Sequence, residues 1–197
     1  MTQANNMPIS PKPQRRLVEI PNRFVEYLIF EFAEHELATI LASKISFEER
    51  HIKCLMKQIL SGLAHLEKNE VLHWDLKPAN ILLNREGILK IIDFGLARYK
   101  DQSHLKVERR QYTREVTTPL YRAPECYLGV KLYSSKVDVW AAGLIFYELM
   151  MKQPLLPTDK GDFGVVLGIF NTFGVPDEQS WPGITELDQY KMLLTAL

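Results

Sequence analysis

Two short polar strings carry the side chains of this sequence that could do chemistry. His-Trp-Asp-Leu-Lys-Pro-Ala-Asn spans residues 73–80, and Asp-Phe-Gly spans residues 93–95. Asp75 can accept a proton from an attacking hydroxyl, and Lys77 can neutralise charge on a moving phosphate. Asn80 and Asp93 supply oxygen ligands of the kind that Mg²⁺ prefers. Together these residue types predict phosphoryl transfer from a nucleotide.

The segment between the two strings predicts a β-hairpin. Apolar residues 81–83 and 88–92 flank the turn-forming residues 84–87, Asn-Arg-Glu-Gly. By itself, the polar string is more typical of an ordinary polar loop before a hairpin. The full order of polar string, apolar hairpin and Asp-Phe-Gly is much more specific, and it favours the phosphoryl-transfer interpretation.

Three helices and a strand are predicted around these strings. One helix begins at Ser46, has Glu49 as the second member of a capping box, and carries an apolar stripe over about five turns. Residues 137–151 are apolar nearly all round, which indicates a helix buried on most faces. Residues 161–172 predict a further short helix, and the β-branched and aromatic residues of 23–32 predict a strand.

Composition limits the classes of function. Lys plus Arg equals Asp plus Glu at 24 each, which argues against a nucleic-acid groove or a polybasic membrane surface. The two cysteines lack a C-x-x-C partner and are expected to be reduced thiols. No apolar run suggests a signal peptide or a transmembrane helix. We therefore expect an intracellular protein of the cytoplasm or nucleus, with no nucleic-acid or membrane partner.

The chain resembles a Ser/Thr protein kinase of the cyclin-dependent kinase group over roughly residues 24–190. Besides the two strings, the resemblance rests on three segments: Tyr-Leu-Ile-Phe-Glu-Phe at 27–32, Thr-Thr-Pro-Leu-Tyr-Arg-Ala-Pro-Glu at 117–125, and Asn-Thr-Phe-Gly-Val-Pro-Asp-Glu at 171–178 followed by Trp-Pro-Gly at 181–183. It implies an α+β, protein kinase-like fold, mostly the α-helical C-lobe with only a hinge strand of the N-lobe. The wording at 182–187 also resembles the cell-cycle-related kinase branch.

The resemblance assigns roles around ATP and Mg²⁺. Asp75 aligns with the catalytic base and Lys77 with the lysine that contacts phosphate. Asn80 and Asp93 align with the magnesium ligands, so that Lys77 and Asp93 also belong to the nucleotide site. The implied activity is transfer of the ATP γ-phosphate to Ser or Thr hydroxyls that precede proline.

The same resemblance assigns the residues around the adenine base. Phe30 is the implied gatekeeper, and the backbones of Glu31 and Ala33 would hydrogen-bond adenine. Glu36 would face the ribose, and Leu82 would form the floor of the adenine pocket.

Regulatory positions follow from the resemblance as well. Thr113 stands at the position of the activating phosphothreonine, which needs an arginine cluster to order its loop. Arg98 and Arg122 are the implied arginines, and Thr118 would contact Asp75 in an assembled site. Trp74 replaces the arginine of the H-R-D motif, and a neutral ring cannot pair with a phosphate.

The resemblance covers only part of a kinase domain. Residues 1–16 contain three prolines and few large apolar side chains, so we expect a disordered lead, followed by a partial kinase domain over residues 17–197. Nothing before Phe24 matches the Gly-rich loop, the β3 lysine or the helix that contacts a cyclin, and the last C-lobe helices are not matched either. The chain alone is expected to bind ATP weakly, and a cyclin-like activator would lack its helix contact.

Three interpretations remain open at the level of sequence. The first is a cyclin-dependent type of kinase that transfers phosphate. The second is a catalytically impaired pseudokinase that binds partners, which Trp74 favours. The third is a fragment from an incomplete gene model. Sequencing the transcript ends separates the third from the others, and nucleotide-dependent thermal stabilisation separates the first from the second.

Overall fold

The computed structural model describes residues 14–20, 23–99, 119–130, 134–156 and 161–195. The strands are β1 (Gln14–Ile20), β2 (Arg23–Ile29), β3 (His35–Glu36), β4 (Val71–Leu72), β5 (Ile81–Leu83), β6 (Leu89–Ile91) and β7 (Arg98–Tyr99). The helices are α1 (Leu37–Ala42), α2 (Glu49–Lys68), α3 (Pro124–Tyr127), α4 (Lys136–Met151), α5 (Gly161–Phe173) and α6 (Asp188–Leu194). Three short 3₁₀ turns lie at Pro78–Asn80, Pro119–Tyr121 and Ile184–Glu186.

Strands β1 and β2 form an antiparallel hairpin whose register runs from Gln14 opposite Ile29 to Ile20 opposite Arg23. The strand predicted over 23–32 is therefore present but ends at Ile29. Residues 14–16 belong to β1, which corrects the expected boundary of the disordered lead, because pairing with β2 satisfies their backbone groups. The remainder of that lead, residues 1–13, lies outside the described residues.

A three-stranded sheet of order β3-β5-β6 carries the predicted hairpin. Strands β5 and β6 pair from Ile81 opposite Ile91 to Leu83 opposite Leu89. Asn84 closes the turn, because its side-chain oxygen accepts hydrogen bonds from the backbone N–H groups of Glu86 and Ile88. The hairpin over residues 81–92 is thus confirmed.

The N-cap of helix α2 lies two residues later than predicted (48 − 46). Glu48, not Ser46, is the N-cap: its side chain accepts the N–H of His51, and the Nδ1 atom of His51 accepts the N–H of Glu48 at 3.2 Å. The predicted capping box is therefore wrong in its residues. A histidine can take the part usually played by Glu or Gln at the third helical position, since Nδ1 is an acceptor in one neutral tautomer.

Helix α4 lies between two hydrophobic cores. It contributes Ala141, Ala142, Ile145 and Leu149 to the core shared with α2 and the hairpin, and Leu144 to the core shared with α5, α6 and the turn at 184–186. The predicted burial of this helix is confirmed, although Val139, Phe146, Met150 and Met151 are exposed among the described residues. A helix with core on opposite sides is held in position from both directions.

Close packing fixes α2 against the hairpin. A Cβ on Gly62 would lie 2.9 Å from the Cδ1 atom of Ile91 on β6, so a larger residue here would have to displace the end of that side chain. Within the part of the chain that the structure describes, none of the helices is both long enough and apolar enough to cross a membrane.

A buried glutamine joins α2 to the hairpin turn. Gln58 donates from Nε2 to the carbonyl of Gly87 at 2.9 Å, and its Oε1 accepts the N–H of Leu89 at 2.9 Å. Both groups of the turn find their partners in this one side chain. The sequence pattern contained no signal for this contact beyond a polar residue on the edge of an apolar stripe.

We expect Gln58→Ala to lower the free energy of unfolding by about 1–3 kcal/mol, because it leaves the buried N–H of Leu89 without this partner and removes the bond to the carbonyl of Gly87. Urea unfolding followed by circular dichroism measures the change. Lys57→Ala, at an exposed position of the same helix, is the matched control and should stay within about 0.5 kcal/mol of the parent. Equal effects of the two substitutions would contradict the assignment.

Candidate active site

The polar loop at residues 73–80 brings the side chains of Lys77 and Asn80 into contact with Asp75. The Nζ atom of Lys77 donates to Asp75 Oδ2 at 2.7 Å, and both side chains are largely buried, at 18% and 17% exposed. Asn80 donates from Nδ2 to the carbonyl of Asp75 at 2.7 Å and to its Oδ2 at 3.1 Å. Both of these side-chain contacts are made to Oδ2 of Asp75, while its Oδ1 accepts no hydrogen bond from the described residues.

The buried carboxylate of Asp138 holds the start of this loop. Its Oδ2 accepts the N–H of His73 at 2.8 Å, and its Oδ1 accepts the N–H of Trp74 at 2.9 Å. Burial raises the pKa of Asp138, and the two backbone donors oppose that rise by stabilising the ionised form. Asp138 also lies in the first turn of α4, where the helix dipole favours a negative charge.

Trp74 adopts a left-handed backbone conformation, with φ of 66°. This region is unfavourable for a bulky residue and persists only when the surroundings impose it. The hydrogen bond from its N–H to Asp138 supplies that constraint. The sequence marks Trp74 only by the arginine that it replaces, and it carries no signal for this backbone conformation.

His73 links the two polar strings and is fully buried. Its Nδ1 accepts the N–H of Asp75 at 3.3 Å, so the ring proton must be on Nε2, which donates to the carbonyl of Ile92 at 2.9 Å. Its ring meets Phe94 edge-on, with the centroids 4.9 Å apart. These contacts make His73 a buried residue that joins the 73–80 loop to the residue after β6 through hydrogen bonds.

The carboxylate of Asp93 is oriented by a hydrogen bond within its own turn. It has a left-handed backbone with φ of 63°, and its Oδ1 accepts the N–H of Gly95 at 3.2 Å. A Cβ on Gly95 would lie 3.1 Å from that same oxygen, so a side chain at this position would crowd the carboxylate. The neighbouring Ile92 donates its N–H to the carbonyl of Asn80 at 2.9 Å. This bond keeps the residue before Asp93 next to Asn80.

These residues fit a magnesium ion. The Nδ2 atom of Asn80 makes both hydrogen bonds of that side chain, which leaves its Oδ1 for a cation. Asp93 is exposed and keeps its Oδ2 free of hydrogen bonds to the described residues. Among the described residues there is no cluster of three His, Cys, Asp or Glu that could hold a metal by itself. Mg²⁺ suits such a site, since it often takes one or two carboxylates and completes its shell with waters and phosphates.

The residues assigned to the adenine site lie beside the sheet. Leu82 on β5 is opposite Glu36 on β3, so the two side chains occupy one face of the sheet. Phe30 and Glu31 lie after β2 and are exposed, and Ala33 is partly buried. The adenine floor and the ribose contact implied by the resemblance are thus neighbours on adjacent strands.

The structure places only some of the predicted regulatory residues. Thr113 and Thr118 lie outside the described residues. Arg98 donates from Nη1 to the carbonyls of Leu96 and Ala97, the two residues that precede it. The guanidinium of Arg122 lies 5.5 Å from the centre of the Tyr127 ring, a cation–π contact.

A second anchor on α4 was missed from the sequence. Tyr121 donates its hydroxyl to Glu148 Oε2 at 2.5 Å. Burial, followed by the hydrogen bond to Glu148, raises the pKa of Tyr121, so this phenol stays a donor. The available signal was the charge of Glu148 inside an otherwise apolar run. Helix α4 therefore holds both the 73–80 loop and the segment that leads into α3.

We expect Asp138→Asn to lower the free energy of unfolding by about 2–4 kcal/mol. Both oxygens of the carboxylate accept backbone N–H groups, and the amide nitrogen that replaces one of them would face a donor. Thermal unfolding monitored by circular dichroism measures the loss. Asp188→Asn, exposed in the first turn of α6, is the control. An Asp138→Asn protein as stable as this control would contradict the role of Asp138 as the clamp on the backbone N–H groups of His73 and Trp74.

Glu125 generates a pH prediction. Burial raises the pKa of its carboxyl above the ordinary 4.5, with its own backbone N–H opposing the rise. The folded state therefore binds this proton more tightly than the unfolded state, and stability is lost as pH rises through the range above 4.5. Glu125→Gln removes the titration and should be the more stable form at about pH 7, by less than about 1 kcal/mol because solvent screens a partly exposed group.

Urea unfolding of both proteins at about pH 4 and pH 7 checks the sign, because the difference should shrink at the acid end. A wild type that exceeds the glutamine variant at neutral pH would contradict it.

The sequence matches the protein kinase domain family over residues 18–194. Cyclin-dependent kinase 11B of Mus musculus is 43% identical over 180 residues, which cover 91% of this chain and 22% of the mouse protein. Cyclin-dependent kinase G-2 of Oryza sativa subsp. japonica is 44% identical over 167 residues, which cover 84% of this chain and 23% of the rice protein. The chain thus spans less than a quarter of the length of these two relatives.

The fold is similar to that of a solved structure, the crystal structure of the yeast RNA Pol II CTD kinase CTDK-1 complex. The TM-score is 0.81 at 32% identity, and the match covers 99% of this chain and 62% of that chain. The expected α+β, protein kinase-like fold is confirmed by this likeness. The chain belongs to the protein kinase domain family, and within that family it is similar to cyclin-dependent kinases.

Proposed function

We propose that this chain carries the substrate-side machinery of a cyclin-dependent type of Ser/Thr kinase that transfers the ATP γ-phosphate to a protein hydroxyl. The observation that supports it most is the state of Asp75. Lys77 and Asn80 occupy one of its carboxylate oxygens and leave the other to a hydroxyl. A loop built only for stability does not require a largely buried carboxylate with one oxygen that accepts no hydrogen bond from the described residues.

The chemistry follows from these positions. Asp75 Oδ1 accepts a hydrogen bond from the substrate Ser or Thr and takes its proton as the new oxygen–phosphorus bond forms. The bond between the γ-phosphorus and the bridging oxygen breaks at the same time, and ADP leaves. Lys77 is 2.7 Å from Asp75 and neutralises charge on the transferred group. Magnesium, when held by Asn80 and Asp93, neutralises charge on the phosphate oxygens.

The proposed nucleotide site uses Phe30, Leu82, Glu36 and the backbones of Glu31 and Ala33. Leu82 and Glu36 are cross-strand neighbours, which places an apolar floor beside a carboxylate suited to ribose hydroxyls. Proline-directed substrates are proposed from the Arg122 region, where the guanidinium is held over Tyr127. Thr113, Thr118 and Arg98 are proposed as the regulatory set.

A protein activator is proposed in addition to protein substrates. The name of the yeast neighbour describes a kinase complex, and the relatives are named cyclin-dependent kinases. A cyclin-like subunit would therefore regulate the whole protein, which we propose to act inside the cell, in the cytoplasm or nucleus.

A second candidate function is a kinase fold that binds partners without catalysis. Trp74 favours it, because the side chain at this position in the H-R-D motif is a cation that can pair with a phosphorylated residue, and tryptophan cannot do so. In this case nucleotide binding would be dispensable, whereas the surface of the C-lobe would still present a partner site.

Incubation of the chain with Mg²⁺, ATP and a Ser/Thr-Pro peptide tests the kinase. We expect slow phosphorylation that Asp75→Asn lowers by about 10²–10⁴-fold, because the base that orients the hydroxyl is lost. Asp188→Asn, exposed on α6, should leave the rate unchanged. Phosphorylation that persists in Asp75→Asn would exclude this role of Asp75.

Thermal unfolding with nucleotide separates the two candidates. A chain that binds Mg²⁺ and ATP should gain about 2.7 kcal/mol of stability at 100 times the Kd, and Asp93→Asn should reduce the gain. A melting temperature that nucleotide and magnesium leave unchanged would instead favour the binding module.

A further inference from the structure

We propose that Lys90 is a positioning residue, which holds the hinge segment (residues 30–33) against the floor of the adenine site through an ion pair with Glu31. This inference rests on the proposed function and adds to it a residue that no motif of the sequence marked. Lys90 lies on β6, an edge strand of the three-stranded sheet, and its ion pair involves neither Asp75 nor Asp93.

The first observation is the burial of a cation. Lys90 is on β6, and its side chain is 7% exposed, whereas the other ion-paired lysines of the described residues range from 18% to 73%. A buried ammonium is unfavourable unless it is paired, since it has lost its hydration. The Nζ atom of Lys90 is in contact with the Glu31 carboxylate, which supplies that partner.

The second observation is the register of the sheet. Lys90 is opposite Leu82, and Leu82 is in turn opposite Glu36. Directly opposed residues of antiparallel strands share one face, so these three side chains form a row across the sheet. The row begins at the proposed ribose contact, passes through the proposed adenine floor and ends at the cation that holds Glu31.

The third observation is that Glu31 has two separable parts. Its side chain binds Lys90, whereas its backbone is the part proposed to hydrogen-bond adenine. A substitution of the side chain therefore breaks the ion pair without removing any group that would touch the nucleotide. This separation allows the positioning role to be tested apart from direct contact.

A second ion pair joins the same region to the same hairpin and provides a comparison. Arg85 pairs with Glu34 at 2.9 Å, but the arginine side chain is 79% exposed. Solvent screens such a pair, which is worth at most about 1 kcal/mol. Each pair has one exposed partner, since Glu31 is 49% exposed, but the two buried partners differ in what else they bind. The carboxylate of Glu34 also accepts the backbone N–H of Arg85, so it keeps a partner without the guanidinium. The buried ammonium of Lys90 depends on Glu31, so this pair should contribute more to the position of the hinge.

Loss of the ion pair between Lys90 and Glu31 should weaken binding of the adenine base and leave binding of the phosphates unchanged. Loss of the pair should weaken adenosine and Mg²⁺-bound ATP by the same factor, about five- to tenfold, at the lower end of coupling between neighbouring groups. Removal of the Asp93 carboxylate should weaken only the ATP complex. Equal losses for the two ligands separate a change at the base, which both ligands share, from a change at the phosphates, which only ATP has.

The experiment is titration calorimetry of the full chain with adenosine and with ATP plus Mg²⁺. It uses Lys90→Met, Glu31→Gln, their double variant, Lys90→Arg and the matched control Arg85→Met. We expect the first two to weaken both ligands equally and the double variant to add nothing further, because each removes the same ion pair. Lys90→Arg, which keeps the charge, and Arg85→Met should stay within about twofold of the parent.

A Lys90→Met variant that unfolds at a lower temperature but keeps the parental affinities would overturn the proposal. If the parent binds neither ligand, the proposed function fails, and the positioning role is then decided by NMR. Backbone amide shifts of Glu31, Phe32 and Ala33 that move in Lys90→Met and Glu31→Gln but not in Arg85→Met would support it. Unchanged shifts in all three would overturn it.

Discussion

The acceptance of two backbone N–H groups by the buried Asp138 carboxylate is the interaction on which the candidate site depends. A left-handed backbone at a bulky residue such as Trp74 costs about 1–3 kcal/mol. Hydrogen bonds to a charged group contribute about 1.5–3 kcal/mol each, so the two bonds can offset that strain. These two bonds fix the backbone at residues 73 and 74, and this sets the position of the loop that carries Asp75, Lys77 and Asn80.

Asp138 can hold the loop in place because its helix, α4, is packed into two hydrophobic cores. The helix contacts one hydrophobic core through Ala141, Ile145 and Leu149 and a second through Leu144. The carboxylate of Asp138 is therefore fixed to a helix that both halves of the C-lobe core position. Glu148 lies ten residues further along (148 − 138), about 15 Å of helix, and binds Tyr121. One helix thus orients both the proposed catalytic loop and the end of the segment that precedes α3.

The candidate site divides into two regions that different forces organise. Hydrogen bonds and ion pairs among Asp75, Lys77 and Asn80 organise the phosphate region, next to the turn of Asp93. Strand register organises the base region, through the row of Glu36, Leu82 and Lys90. The two meet at the hairpin, because Asn80 precedes β5 and accepts the N–H of Ile92 just after β6. The hairpin therefore sets the position of the two regions relative to each other.

The sequence by itself determined the identity of the reacting groups and most of the elements that carry them. The strings at 73–80 and 93–95, the hairpin between them, and the helices that became α2, α4 and α5 follow from local pattern, because periodicity and turn chemistry involve neighbours along the chain. Only the tertiary structure decided which partners those groups have. The cap of α2 moved from Ser46 to Glu48, and Gln58, Glu148 and Lys90 acquired roles across 27 to 59 positions of sequence (148 − 121 and 90 − 31). Such contacts depend on which surfaces are brought together in space, and a burial cost for Lys90 exists only once the sheet has closed over it.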